Sequence, residues 1–98
     1  MPYQDIDCVN RSQYRLKVMK SLDGEVKIPS EIANDTEIFQ NHISNTLRQL
    51  KEHKLIECIN PEVKRGRLYW LTDKGERIIK KINWLNLLIL INRWLFRG

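Results

Sequence analysis

The clearest helical pattern in the chain covers residues 40–53. Ile43, Leu47 and Leu50 recur at the spacing that places side chains on one face of a helix, and we expect this face to be buried. The opposite face and its flanks carry polar side chains: Asn41, Asn45 and Arg48, then Gln40, His42 and Ser44. Since amides can pair with adenine and arginine with guanine in the major groove, this pattern favours a helix that reads base edges in duplex DNA.

The segments before this helix carry shorter helical and extended patterns. Ser12 is suited to cap a first helix ending near Leu22, in which Val18 and Leu22 recur at helical spacing. Residues 25–28 alternate and predict a short strand. Pro29 then suits the first turn of a second short helix, whose buried side would include Ile32. Residues 1–10 are polar and mixed, which predicts a loose N-terminal arm.

Two β-type runs follow, at residues 55–59 and 68–71. Asn60-Pro61 interrupts the pattern between them, so the two runs predict a hairpin. Its tip carries three cations: Lys64, Arg65 and Arg67. A basic turn alone is usually a solvated turn, but beside a DNA-reading helix it is well suited to contact phosphates.

The last segment predicts a long helix, starting with a capping-box-like pair at Asp73 and Glu76. After residue 78 its apolar residues form two seams, and one small domain cannot cover both. We therefore expect one seam to pack on its own domain and the other on a second copy. The predicted dimerisation residues are Ile82, Trp84, Leu85, Leu88, Ile89, Ile91, Leu95 and Phe96.

Charge is unevenly distributed along the 98 residues, whose formal net charge is +5. Residues 1–60 hold eight Lys/Arg against nine Asp/Glu, whereas residues 61–98 hold nine against three. An anionic partner is therefore expected to meet the hairpin and the last helix. Cys8 and Cys58 do not form a disulfide pattern, and no secretory signal is visible, so we expect reduced thiols and a cytoplasmic protein.

Catalytic and metal-binding patterns are absent from the sequence. It has no Gly-rich phosphate loop and no nucleophile motif, so we predict no enzyme activity, cofactor or small-molecule substrate. Cys58 and the two histidines do not form a ligand cluster, so we predict no metal site. The apolar tail is interrupted by Asn and Arg and is too short to span a bilayer, although contact with a membrane surface stays open.

Three segments together resemble the winged helix-turn-helix transcription regulators of archaea and bacteria, of the MarR and ArsR type. They are PSEIA at 29–33, HISNTLRQLKEHKLIE at 42–57 and RGRLYWLTDKG at 65–75. The resemblance covers residues 12–82 and implies an α+β fold, mostly α, with a two-stranded β-wing and a long C-terminal helix. The chain departs from the family at Glu37, where Gly is frequent, and at Phe39, where Ser or Thr often caps the helix.

The resemblance implies a homodimeric, sequence-specific regulator of transcription that binds double-stranded DNA. Residues 11–82 would form the DNA-binding domain, and residues 83–98 an apolar extension for dimerisation. The helix at 40–53 would lie in the major groove, and the basic wing at 61–68 on the flanking backbone or minor groove. Two alternatives stay open: a winged helix that binds proteins, and a regulator tethered to a membrane surface by its last helix.

Overall fold

The computed structural model describes residue 9 and residues 11–95, except for the side chain of Trp94. The elements, in chain order, are α1 Gln13–Ser21, α2 Pro29–Thr36, α3 Gln40–Glu52, β1 Ile56–Cys58, β2 Tyr69–Leu71 and α4 Asp73–Leu95. The fold is an α+β winged helix, mostly helical, with one antiparallel pair of strands. Most of the predicted N-terminal arm lies outside the described residues, but Val9 is fully buried in the core, so the chain is already packed there.

The helices α1, α2 and α3 pack around one apolar core. Ser12 caps α1 as predicted, because its hydroxyl accepts a hydrogen bond from the backbone N–H of Arg15 at 3.3 Å. Residues spaced three and four apart on α3 enter this core. The core consists of Val9, Val18, Met19, Leu22, Ile32, Ile38, Ile43, Leu47, Leu50, Leu55, Ile56, Tyr69, Leu71, Ile78, Ile79 and Ile82.

Two residues with left-handed backbone conformations end the helices of the helix-turn-helix. Glu37 closes α2 at φ 58°, the conformation that Gly would adopt without strain, so the predicted departure at this position is tolerated by the fold. Lys54 follows α3 at φ 60°. There the Leu55 N–H bonds to the Leu50 carbonyl at 3.0 Å and the Lys54 N–H to the Lys51 carbonyl at 2.9 Å, which satisfies the last carbonyls of α3.

The wing is the hairpin of β1 and β2, in which Ile56 pairs with Leu71 and Cys58 with Tyr69. The strand predicted at residues 25–28 is reduced to a single antiparallel bridge between Lys27 and Tyr69. This bridge holds the segment between α1 and α2 against the base of the wing.

The N-cap of α4 lies one residue before the predicted one. Thr72, rather than Asp73, caps it, because the Thr72 hydroxyl accepts from the Gly75 N–H at 3.1 Å while donating to the Lys54 carbonyl at 2.7 Å. A Cβ added at Gly75 would lie 2.1 Å from the Leu55 carbonyl oxygen. Gly75 therefore allows a close approach between α4 and the chain that leads into β1.

Beyond residue 82 the helix α4 leaves the domain. Ile78, Ile79 and Ile82 are its buried apolar side chains, and the described apolar side chains after Ile82 are exposed. Of the seam that was expected to pack on its own domain, Ile78 and Ile82 are buried. Leu85 and Ile89 of the same seam are exposed, because the domain does not extend beyond Ile82. Among the described residues, no helix is both long enough and apolar enough to cross a membrane.

Candidate nucleic-acid interface

The predicted reading face of α3 is open to solvent. Its apolar residues turn inward, since Ile43, Leu47 and Leu50 belong to the core. The polar residues predicted to contact DNA on this helix are all exposed: Gln40, Asn41, His42, Ser44, Asn45 and Arg48. The amphipathic pattern therefore oriented this helix correctly, with amides and one guanidinium outward.

Two of these side chains are hydrogen-bonded to each other. An Nη atom of Arg48 donates a hydrogen bond to Oδ1 of Asn45, three residues earlier on the exposed face. This contact holds the guanidinium beside the amide. Arg48 and Asn45 can thus act as one polar unit toward a base pair.

Other polar residues of α3 serve the fold as well as the surface. Gln49 accepts a hydrogen bond from Nε of Arg15 at 3.1 Å, which ties α3 to α1. The ring of His42 lies 5.2 Å from the ring of Tyr14 at a tilt of 38°, so His42 is directed toward the α1 side of the reading face. His42 is therefore placed at the edge of this face and Gln49 beneath it.

The wing tip presents two of its three predicted cations. Lys64 and Arg65 are exposed, whereas Arg67 is partly buried and braces the loop. Nε of Arg67 donates to the Val63 carbonyl at 2.7 Å, and an Nη atom donates to the Pro61 carbonyl at 3.4 Å. Arg67 is accordingly a structural residue of the wing in this conformation, which the sequence pattern did not distinguish from its neighbours.

Asn60 organises the turn that carries the wing tip. Its Oδ1 accepts from the Leu68 N–H at 2.7 Å, and its Nδ2 donates to the Gly66 carbonyl at 3.2 Å. Gly66 has φ 72°, the left-handed conformation that favours glycine. The side chain of Asn60 thus supplies hydrogen bonds across the loop where the strands do not pair. These bonds hold Lys64 and Arg65 at the end of the wing.

A cleft of about 520 Å³ separates α3 from the wing. Arg67 and Tyr69 line its wing side, and Pro29 belongs to the first turn of α2. The α3 side is lined by Ser44, Leu47, Arg48, Lys51 and Glu52. Helix α3 and the wing therefore border one depression, whose lining includes three cations, Arg48, Lys51 and Arg67, and one carboxylate, Glu52.

Lys51 is the residue of this cleft that the sequence prediction missed. It lies seven residues after Ser44 and three after Arg48, so helical spacing alone places it on their side of α3. No role was predicted for this lysine from the sequence. The missed signal was the shared spacing of Ser44, Arg48 and Lys51.

A second charged cluster lies away from this cleft and belongs to the fold. The Lys27 ammonium bonds to the Ser21 hydroxyl at 3.2 Å, to Glu25 at 2.7 Å and to Asp35. Burial disfavours the charged ammonium, but the hydrogen bonds and attraction of Asp35 and Glu25 outweigh it and raise the pKa of Lys27 above its usual value. Lys27 therefore links α1, the β-bridge and α2 as a cation.

The predicted dimerisation residues fall into three groups. Ile82 is 2% exposed and belongs to the core of its own chain, so it is corrected from the predicted surface to the interior. Phe96 lies outside the described residues. The exposed members are Trp84, Leu85, Leu88, Ile89, Ile91 and Leu95. Over the described residues no group of three His, Cys, Asp or Glu side chains is arranged to hold a metal ion.

The comparisons with known proteins agree with this geometry at the level of the fold. No protein-family model matches the chain, and no curated protein matches it. Among solved structures, a MarR family transcription regulator, SP03579, superposes with a TM-score of 0.69 at 24% identity, covering 84% of this chain and 57% of that protein. The chain thus spans little more than half the length of that regulator.

Two further solved structures are similar. The Staphylococcus aureus MepR–DNA complex gives a TM-score of 0.74 at 17% identity, covering 94% of this chain and 77% of MepR. Bordetella bronchiseptica BpsR, described for regulation of its DNA binding by 6-hydroxynicotinic acid, gives 0.72 at 19% identity, covering 92% of this chain and 76% of BpsR. At these identities the likeness shows the fold, which is the winged helix of MarR-type regulators.

Proposed function

We propose that this chain is a sequence-specific transcription regulator that binds double-stranded DNA as a homodimer. The observation that supports this most directly is the exposed face of α3, which carries Asn41, Asn45 and Arg48. Beside it lies a cleft that Arg48 and Lys51 of the helix and Arg67 of the wing line. A duplex offers base edges in its major groove and phosphates along its rims, which match these two surfaces. The similarity to a regulator crystallised with DNA agrees with the proposal.

We assign the contacts with bases and those with phosphates to different side chains, according to their chemistry. Asn41, Asn45 and Arg48, helped by Gln40, would read base edges in the major groove. Lys64 and Arg65 would contact the flanking backbone or the minor groove, and Lys51 a phosphate beside the cleft. His42 and Ser44 would lie at the groove edge, and Arg67 would shape the wing that delivers the two exposed cations.

Dimerisation is proposed to use the exposed apolar part of α4. Seven apolar residues between positions 84 and 91 are exposed on the described helix, and a second copy would cover them. A two-fold pair would then present two recognition helices to half-sites about one turn of DNA apart. We further propose that the protein acts in the cytoplasm as a DNA-binding regulator, without catalysis or a cofactor.

Paired substitutions test the division of contacts. Arg65→Ala is expected to weaken binding of the full chain to all DNA sequences and to lower the slope of log K against log salt by about two, one phosphate contact for each protomer. Asn45→Ala is expected to leave this slope unchanged and to reduce preference for the selected site by roughly tenfold or more. Fluorescence anisotropy at several salt concentrations measures both quantities.

Lys20→Ala is the matched control, because Lys20 is an exposed cation of α1 that lines a different cleft. It should change neither quantity. Uniform loss of affinity from Arg65→Ala and Asn45→Ala, with the same change in slope, would contradict the assigned roles.

The exposed apolar surface of α4 also supports a second candidate function. A winged helix that binds another protein would use this surface as its working site and would not need DNA. In that case the full chain would show no salt-sensitive binding to pooled genomic fragments. Tethering to a membrane surface through the same residues would instead make the full chain pellet with anionic vesicles.

A further inference from the structure

Phe39 combines two features that are unfavourable for the free domain. It occupies the N-cap of α3 at φ −61° and ψ 144°, and no side-chain hydrogen bond caps the helix. A Ser or Thr there would cap the helix and stabilise it. The residue is also 80% exposed, more than any other large apolar residue described. Neither helix stability nor packing accounts for a phenylalanine at this position.

The position of Phe39 within α3 points to what covers the ring. It follows Ile38 and precedes Ile43 by four residues, and although both isoleucines are buried in the core, Phe39 is exposed at the N-terminus of the helix. Gln40 and Asn41, both exposed, follow it directly. A recognition helix enters the major groove with its N-terminal residues against the base edges, so the residue at the tip approaches the groove as well.

We propose that Phe39 is a specificity-determining residue that contacts the C5-methyl group of thymine at the edge of the major groove. This inference rests on the proposed DNA-binding function and deepens it. Thymine alone among the four bases presents a methyl group there, and an aromatic side chain is one of the partners that this methyl group accepts. The ring would thus select thymine beside the base pairs that the amides of α3 read. The helix would lose a side-chain cap in return.

The experiment uses the full chain and DNA sequences enriched by it from a random duplex library. Each thymine of an enriched site is replaced in turn by deoxyuridine, which removes the methyl group and keeps the base pairing. At one thymine of each half-site, the wild-type chain is expected to lose about fourfold in affinity, the change associated with burial of one methyl-sized group. Phe39→Ala should bind the thymine and uracil forms equally.

Two variants separate a DNA contact from a folding defect. Phe39→Leu keeps an apolar side chain and should retain part of the discrimination, and Val26→Ala, which changes another exposed apolar residue, should retain all of it. Circular dichroism confirms that each variant is folded. If Phe39→Ala keeps the full preference for thymine, or changes only the sedimentation of the protein, the inference is overturned. If the wild-type chain enriches no DNA at all, the proposed function itself fails, which is a distinct result.

Discussion

Single residues decide how closely the elements of this domain approach each other, and Gly75 is the clearest case. Replacing Gly by Ala inside a helix normally stabilises it by roughly 1 kcal/mol. At Gly75 the added Cβ would lie 2.1 Å from the Leu55 carbonyl oxygen, so α4 or the chain entering β1 would have to move. The close contact involves backbone, which cannot rotate away as a side chain can.

We therefore expect Gly75→Ala to destabilise the domain by about 2 kcal/mol, against the intrinsic helix preference. Urea unfolding followed by circular dichroism measures the change. Lys80→Ala, at an exposed position of the same helix, is the matched control and should be nearly neutral. Equal or greater stability of Gly75→Ala would show that α4 and β1 do not approach this closely.

Residue chemistry could be predicted from the sequence where it depends on near neighbours. The cap at Ser12 and the inward face of Ile43 follow from local spacing, and both were predicted. The sequence pattern predicts Asp73 as the cap of α4, but Thr72 is the cap in the structure. The hydroxyl of Thr72 is held in place by the carbonyl of Lys54, eighteen residues earlier. Contacts of that kind arise from the folded topology and leave no local pattern.

Between elements, the ammonium of Lys27 links α1 to α2, while its backbone pairs with Tyr69 at the base of the wing. It is 13% exposed and contacts α1 through Ser21, α2 through Asp35 and its own segment through Glu25. We expect Lys27→Gln to lower the free energy of unfolding at neutral pH by about 1 kcal/mol, because the partners are themselves partly exposed.

The pH dependence of this contribution follows from the raised pKa of Lys27. A cation whose native pKa lies above its unfolded value stabilises the fold fully below that unfolded value, here 10.5, and the stabilisation is lost as pH rises through the native pKa. The difference between wild type and Lys27→Gln should therefore stay constant near neutrality and shrink above pH 10.5. Thermal unfolding across this range measures it, and a difference that grows with pH would contradict the assignment.

The order of the elements was predictable from the sequence, but the burial of individual side chains was less so. The period of apolar residues identified α3, the hairpin and the long last helix, and the structure confirms each of them. The apolar seams of α4 did not show where the domain ends, since Ile82 and Leu85 look equivalent in sequence and differ completely in burial. Likewise, Arg65 is exposed and Arg67 is partly buried, because Arg67 donates a hydrogen bond to the Val63 carbonyl within the wing loop.

For the whole molecule, the part of α4 beyond the domain is expected to set the oligomeric state. A chain ending after residue 83 keeps the buried Ile82 and removes the exposed apolar residues. We expect the full chain to sediment as a dimer and this truncation as a folded monomer, because the apolar surface that a partner would cover is gone. A cut before Ile82 would be a poor test, since it opens the core. A monomeric full chain, or a dimeric truncation, would contradict the proposed interface.

The central claim is that a reading helix and a basic wing together recognise duplex DNA, and selection of bound DNA from a random library by the full chain tests it most directly. We predict an enriched site with two inverted half-sites about 10 base pairs apart, bound with an affinity that falls steeply as salt rises. Recovery of no common sequence, together with no salt-sensitive binding, would contradict it.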